Sequence, residues 1–561
     1  MACDCGCTGH DAAPAPTPAS KAPKGSYYIT TPIYYVNAAP HLGTAYSTLV
    51  CDTQARFRRM DGYDVHFLTG LDEHGQKVAE SAAKHDMTPQ AWCDSMSEPF
   101  QELWRELEVT NDDFIRTTQP RHVRAVQHFW EVLKERGYIY KGSYEGWYCV
   151  PEETYFTETD VRHANEDADG NFDESATPLC PDCKRPLERI SEESWFFKLS
   201  EFQQPLLDFY AAHPDFIEPA TRRNEVVSFV EGGLKDLSVT RTTFDWGIPL
   251  PFDERHVTYV WFDALINYLT AVGYGDPEKA DELAYRWPAQ QHVVGKDIIR
   301  FHCVIWPAML MAAGLPVTEH VLGHGFLLVR GADGKGEKMS KSRGNAIAPR
   351  EVMDLLGVEG YRYYFMTDVT HGQDGAISFE RMAQVYNADL ANSWGNLVSR
   401  TLNMSVKYFD GKSPARAEGD AGRESPLSQA AAGAYDRYAA AMREFDYQAA
   451  AQVAQDVAAA ANHYIEDMAP WALAKDPAKA DELRFVMWGL CESIRLIATL
   501  LWPLTPATSA EVMRRLGLPA EPTHDLEEAC AWGLFEGGAA VEKGEPLFPR
   551  LDADKLAAAQ A

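Results

Sequence analysis

Residues 27–69 read YYITTPIYYVNAAPHLGTAYSTLVCDTQARFRRMDGYDVHFLT, and this stretch decides the fold class. Tyr27–Thr31 and Tyr63–Thr69 are short runs of aromatic and β-branched residues, the composition of buried strands. Between them, Gly43–Met60 sets its apolar residues at helical spacing. Strand, loop, helix and strand in that order begin a doubly wound α/β sheet, whose ligands bind in the crevice at the carboxyl ends of the strands. Pro40-His41-Leu42-Gly43 stands at that place, where the first strand gives way to the first helix. A helix N-terminus there offers free N–H groups and a partial positive charge to phosphate. His41 adds a donor, and Gly43 leaves no side chain, so a flat ring could lie against the backbone. The tetrapeptide alone also fits an ordinary strand–helix turn.

Working outward, a second α/β half is expected near Thr258–Val329, with strands at His292–Val294 and Val321–Val329. Between the halves lies an acidic, loop-rich insertion: Glu152–Glu193 holds 13 acids against 4 bases. From about Glu380 the pattern turns to long helices. Tyr447–Asp467 is alanine-rich, with Asp446 as N-cap and Pro470 as its stop, and Gly411–Ser428 reads as a polar loop. The expected organisation is a tail (1–25), a first α/β half (26–140), a connective insertion (141–240) and a second half (241–330). A loop-and-linker region (331–385), a helical domain (386–551) and a tail (552–561) follow. The first tail is rich in Ala, Pro and Thr; its Cys3, Cys5, Cys7 and His10 are soft-metal donors without a scaffold to fix their geometry.

At 561 residues, with 45% apolar and 24% charged, the chain has the length of two to four domains and the balance of a globular protein. Collagen-like, wholly disordered and disulfide-scaffold classes are excluded. The longest uncharged runs, Cys303–Val317 and Leu496–Ala510, are 15 residues long and carry prolines; a spanning helix needs roughly 20. No membrane partner is expected. Eleven scattered cysteines and no secretory start point to a cytoplasmic location with free thiols. The net charge of −30 argues against nonspecific polyanion binding, but Arg330–Arg350 carries 6 bases and 2 acids, so the charge is segregated.

That basic stretch contains Gly336-Glu337-Lys338-Met339-Ser340-Lys341-Ser342-Arg343-Gly344-Asn345. Two lysines three apart, among glycines and small hydroxyl residues, suit a mobile loop that carries cations to a polyphosphate. A charge that closes only at the transition state accelerates chemistry rather than tightening binding. The competing nucleotide signatures are missing: no G-x-G-x-x-G follows a strand, and Gly411-Lys412-Ser413 has Val406 where a P-loop needs glycine.

PHLG and KMSKS on two halves of an α/β domain resemble the signature motifs of class I aminoacyl-tRNA synthetases. YYITTPIYYVNAAPHLG, FLTGLDEHGQKV, TYVWFDALINYL, HVVGKDIIRFH and GHGFLL resemble the methionyl-tRNA synthetase family more closely, from about Tyr27 to Leu551. The resemblance implies an α/β Rossmann-like catalytic domain split by a connective insertion of zinc-knuckle type, followed by an all-α anticodon-binding helix bundle. It implies ligation of L-methionine to tRNA(Met), initiator and elongator, through an ATP-dependent adenylate, with Mg²⁺ accompanying the ATP. By resemblance His41, Lys338 and Lys341 are the catalytic groups. His41, Gly43, Thr44, Gly295, Asp297, His324, Lys341 and Ser342 bind ATP. Thr44 departs from the family, which usually has a second histidine there; a hydroxyl can bond phosphate but carries no charge.

A thioether needs an apolar, polarizable slot, and an ammonium needs a carboxylate. The matching positions are Ile33, Tyr35, Trp261, Ala264, Leu265, Tyr268, Ile298 and His302, with Asp72 for the ammonium. The family's knuckle falls on Cys149-Val150-Pro151-Glu152 and Cys180-Pro181-Asp182-Cys183. Cys149, Glu152, Cys180 and Cys183 make an acceptable set for one structural Zn²⁺, with His163 as another donor and a metal-free knuckle as the rival. In the helical domain the anticodon positions are Asn396, Arg400 and Trp471. The chain is expected to act as a monomer. Class I relatives for leucine, isoleucine or valine carry a longer insertion than the roughly 100 residues between these halves.

Overall fold

The computed structural model describes residues 22–149, 154–156, 161–164, 176–181, 183–330, 336–339, 347–370 and 372–552. Six strands form the central sheet: β1 (Ser26–Tyr35), β2 (Asp64–Asp72), β3 (Asp113–Arg116), β4 (Ile217–Glu218), β5 (Gln291–Gly295) and β6 (His320–His324), in the order β3-β2-β1-β5-β6-β4. All neighbours run parallel. A parallel sheet needs cover on both faces, and each face carries its own buried apolar cluster. The order reverses between β1 and β5, which is the switch point where a crevice opens.

The first strand, read as Tyr27–Thr31, extends to Tyr35 across a register shift between Thr30 and Ile33. Pro32 lies inside the shift and has no N–H to give a ladder, so a bulge replaces a break. Helix α1 covers Leu42–Met60. Two expectations need correction. Val321–Val329 is not one strand: β6 ends at His324, and Leu327–Arg330 joins a separate sheet with Gly336–Lys338 and Gly375–Ile377. Asp374 causes the turn, its carboxylate accepting from Phe326 N at 2.8 Å. The insertion is not wholly separate either, because Ile217–Glu218 returns from it to form the sheet edge beside β6. Its two longest strands, Ile139–Cys149 and Glu188–Phe197, pair antiparallel at the centre of a four-stranded sheet.

Helices appear well before Glu380. α2 (Pro349–Thr367), kinked at Gly357, is followed by α3 (Asn396–Tyr408), α4 (Tyr447–Met468) and α5 (Ala480–Leu501). Phe379–Val385, Tyr386–Gly395 and α3 follow one another without a gap, so the border drawn at 385/386 falls inside a single helical run. Asp446 caps α4 by accepting from Ala449 N at 2.9 Å, and Pro470 opens the next short helix, Pro470–Leu473. The loop read as Gly411–Ser428 ends earlier, because Pro426–Ala431 is helical behind a Ser425 cap. Among the described residues no helix is long and apolar enough to cross a membrane.

The helical region and the α/β region share one core. Residues of α1, α2, α4 and α5 belong to a single buried cluster, and Tyr447 donates its hydroxyl to Val50 O at 2.9 Å. Arg362 of α2 and Asp52 of α1 are both 0% exposed and paired at 2.6 Å. Arg362 also donates to Leu107 O and Pro503 O, at 3.0 and 3.1 Å. Asp52 accepts from Arg56, Thr110 N and Thr110 Oγ1 as well. Burial alone would raise the Asp52 carboxyl, but Arg56 and Arg362 outweigh it and hold it well below the ordinary range.

Candidate active site at the switch point

His41 is the N-cap of α1, in an extended conformation. Its Nδ1 accepts from Thr44 N at 3.3 Å, and Thr44 Oγ1 accepts from His41 N at 3.3 Å. This reciprocal pair is a capping box. Thr44 is 5% exposed, so in this structure its hydroxyl holds His41 in place rather than facing the crevice. The imidazole also explains Gly43. A Cβ there would stand 3.0 Å from His41 Cε1, so the flat ring against that backbone is the chain's own histidine.

Opposite, β5 and β6 end in register at Gly295 and His324. A Cβ on Gly295 would lie 2.4 Å from Asp297 Oδ1, so only glycine lets that carboxylate fold back over the strand end. His324 is buried, and burial lowers its pKa, so the ring is neutral. Its Nδ1 donates to Gly325 O at 2.9 Å, which leaves Nε2 to accept from Ser47 Oγ at 2.7 Å. Ser47 is on α1, so this bond ties the two walls of the crevice together.

Lys296, not anticipated from the sequence, pairs with Asp374 at 2.7 Å. Asp374 precedes Gly375–Ile377, which lies beside Leu327–Arg330, and that strand pairs with Gly336–Lys338. The base of the KMSKS hairpin is therefore anchored to the residue between Gly295 and Asp297. The backbone of Lys338 closes the hairpin opposite Leu328. Its side chain, and all of Lys341 and Ser342, lie outside the described residues.

Ile33, Tyr35, Trp261 and Ile298 are half-buried around a cluster that includes Leu265 and Tyr268. Ala264 and His302 are buried as well. Tyr268 OH lies 2.8 Å from His302 Nε2, and His302 Nδ1 lies 3.1 Å from Ile298 O. Burial pushes the His302 imidazole down to about 4, so Nδ1 donates to the carbonyl and the tyrosine donates to Nε2. Phe301 was missed by sequence reasoning; its ring stacks on Trp261 at 3.9 Å. Asp72 ends β2, is buried, and pairs in register with Tyr35. Asp72 and Tyr35 are thus neighbouring strand ends.

The His302 shift has a consequence for stability. An unfolded histidine titrates near 6.5, so between 6.5 and about 4 the unfolded chain binds more protons than the folded one. Stability is expected to fall as pH drops through that window, His302 contributing about 3 kcal/mol of the loss. Denaturant melts across this range should show His302→Gln to be less acid-sensitive than the parent; an equal slope would contradict the assignment.

In the insertion, Sγ of Cys149, Cys180 and Cys183 all lie within 4.8 Å of one another, those of Cys149 and Cys183 at 3.5 Å. Cys183 N donates to Cys180 Sγ at 3.5 Å, the turn of a thiolate hook. The three thiols fit one tetrahedral soft cation. Glu152 lies outside the described residues, and His163, paired with Pro178 in a two-stranded sheet, does not join the cluster of thiols. In the helical region, Arg400 of α3 pairs with Glu466 of α4 at 2.6 Å. Asn396 is exposed one turn before it, and Trp471 is 41% exposed just beyond the end of α4.

The family described as tRNA synthetases class I (M) matches residues 27–402, and the anticodon binding domain of methionyl tRNA ligase matches residues 415–561. The methionine–tRNA ligase of Streptomyces coelicolor is 46% identical over 540 residues, covering 94% of this chain and 97% of that one. Its counterpart from Thermotoga maritima is 45% identical over 528 residues, 94% of this chain and 80% of the other. A solved structure of Mycobacterium tuberculosis methionyl-tRNA synthetase in complex with methionyl-adenylate matches with a TM-score of 0.85 at 40% identity, over 94% of this chain and 100% of that one.

Proposed function

The chain belongs to the class I methionyl-tRNA synthetase family, and from that premise we propose how its residues divide the work. The activity is ligation of L-methionine to tRNA in two steps, formation of methionyl-adenylate from ATP and then transfer to the tRNA 3′ end. The methionine carboxylate attacks the α-phosphate and pyrophosphate leaves, so the protein supplies position and charge rather than a covalent nucleophile. His41 and the free N–H groups of α1 receive the phosphates, with Thr44 holding the imidazole. Gly295 lets the Asp297 carboxylate fold back over the strand end, where it offers acceptors to the nucleotide, and His324 with Ser47 fixes the floor. Lys338 and Lys341, with Ser342, bring positive charge to the departing pyrophosphate, where Mg²⁺ accompanying the ATP would supply further charge neutralisation.

The slot binds the methionine side chain, with the Tyr268–His302 pair as its polar end and Asp72 on the ammonium. The observation that carries this reading is that pair: a neutral imidazole with both nitrogens committed stands in the apolar cluster that Tyr35 and Trp261 pack against, and Tyr35 is in register with Asp72. ATP–pyrophosphate exchange with a panel of amino acids tests it. Methionine alone should support exchange, and equal exchange with leucine or isoleucine would contradict the slot.

Cys149, Cys180 and Cys183 would hold one structural zinc ion, with Glu152 as the fourth ligand. Metal analysis of purified protein is expected to return about one zinc per chain; a trace amount would favour the metal-free knuckle. On the tRNA side, Trp471 stacks on an anticodon base beside Asn396 and Arg400. Trp471→Ala is expected to lower aminoacylation about tenfold while leaving adenylate formation unchanged. Equal losses in both would mark a folding defect.

A further inference from the structure

Asp263 is fully buried, and its two carboxylate oxygens are held by two different elements. Oδ2 accepts from His74 Nδ1 at 2.6 Å, and Oδ1 from His122 Nε2 at 2.7 Å. On its other side the His122 ring meets Thr270, Nδ1 lying 3.0 Å from Thr270 Oγ1. Burial alone would push the Asp263 carboxyl up, but the two histidines outweigh it and keep it below the ordinary range.

The position of these groups is what matters. His74 follows Asp72 by two residues, in a turn fixed at nearly every atom. Glu73 N donates to Thr117 Oγ1 at 2.9 Å, and its carboxylate accepts from Arg116 Nε at 2.6 Å. Glu73 O accepts from Trp246 Nε1 at 2.6 Å, and the His74 ring packs edge-on against the same indole. On the other side, Asp263 lies between Trp261 and Ala264 in the helix Val260–Ala264, and Tyr268 is in the next short helix, Asn267–Thr270. His122 and Thr270 join the far end of that segment to the helix Pro120–Glu135.

We infer that Asp263 is a positioning residue: through His74 it sets the distance between the carboxylate that holds the ammonium and the wall that holds the thioether. This rests on the reading of Asp72 and the slot given above. The two anchors of methionine sit on segments nearly two hundred residues apart in the chain (72–75 and 260–270), and the Asp263–His74 bond is a direct side-chain link between them. A slack link leaves each anchor intact but lets their spacing drift, which weakens binding of a ligand that must reach both.

The test is ATP–pyrophosphate exchange on Asp263→Asn, Asp72→Asn and the double variant. Asp263→Asn should raise the methionine KM about tenfold with the ATP KM within about twofold, since misplacement of about 1 Å costs this order or more. Because Asp263 acts through Asp72, the double variant should lose no more than Asp72→Asn alone. Independent, additive losses, or equal changes in both KM values, would overturn the positioning role. An unchanged methionine KM in Asp72→Asn would instead overturn the underlying reading of the pocket. Should Asp263→Asn fail to fold, His74 carries the test. His74→Phe keeps a ring against Trp246 but loses the bond, and should show the same methionine-specific loss. His74→Asn restores a donor near Nδ1 and should recover most of it. A His74→Phe protein with a normal methionine KM would overturn the inference.

Discussion

Asp72→Ala is expected to raise the methionine KM about a hundredfold or to abolish adenylate formation, while leaving the ATP KM within a few-fold. The size follows from the environment. Asp72 is buried at the end of β2, where a charge-assisted bond to an ammonium contributes about 3 kcal/mol, and each tenfold is about 1.4 kcal/mol. Truncation also strands the substrate's own charge in a site shielded from water. On the proposed reading ATP meets His41, Gly295 and His324 instead, and should not register the loss. Unchanged methionine kinetics would remove Asp72 from the pocket.

Breaking the buried ion pair at the seam should have the largest effect on stability. Arg362→Met removes the cation that joins Asp52 of α1 to Leu107 O and Pro503 O. Cutting one partner of a buried pair typically costs about 3 to 5 kcal/mol, because the other charge keeps its desolvation cost and loses its compensation. Arg56 and the two Thr110 donors remain on Asp52, which places the expected loss toward the lower end of that range. Urea melts would measure it. Adding Asp52→Asn should recover part of the loss, since the stranded carboxylate is then neutral. A loss under about 1 kcal/mol would show that the seam does not depend on the pair.

How much of this was legible in the sequence depended on whether a feature has a local pattern. The strand–helix–strand start could be read from residues 27–69 because apolar periodicity survives any tertiary context. Asp446 was legible as a cap for the same reason. The border at 385/386 was not, because the helical run continues through it. Ile217–Glu218 gives two residues of strand between helices, too short for any periodicity to register. The break after His324 follows from Asp374, fifty residues downstream, capturing Phe326 N. Thr44 looked like a weakened phosphate ligand, and its spacing of three from His41 was the signal of a capping box that went unread.

Site residues divide in the same way. His41, Gly295, His324 and the proposed slot residues came from motif resemblance; Gly295 and His324 end neighbouring strands, and His41 caps the helix that follows β1. Asp263 lay in plain view within TYVWFDALINYL. Nothing in sequence marks a buried carboxylate whose partners, His74 and His122, sit 189 and 141 residues away. The shared core of the α/β and helical regions was equally hidden, since each helix face reads as apolar whichever neighbour it meets.

The most direct test of the account is a crystal structure of the chain with a non-hydrolysable methionyl-adenylate analogue. The account predicts the ammonium on Asp72, the thioether against Tyr268 and Trp261, and the phosphate between His41 at the start of α1 and Gly295 at the end of β5. An analogue seated away from the β1/β5 crevice, or one whose ammonium meets a group other than Asp72, would contradict it.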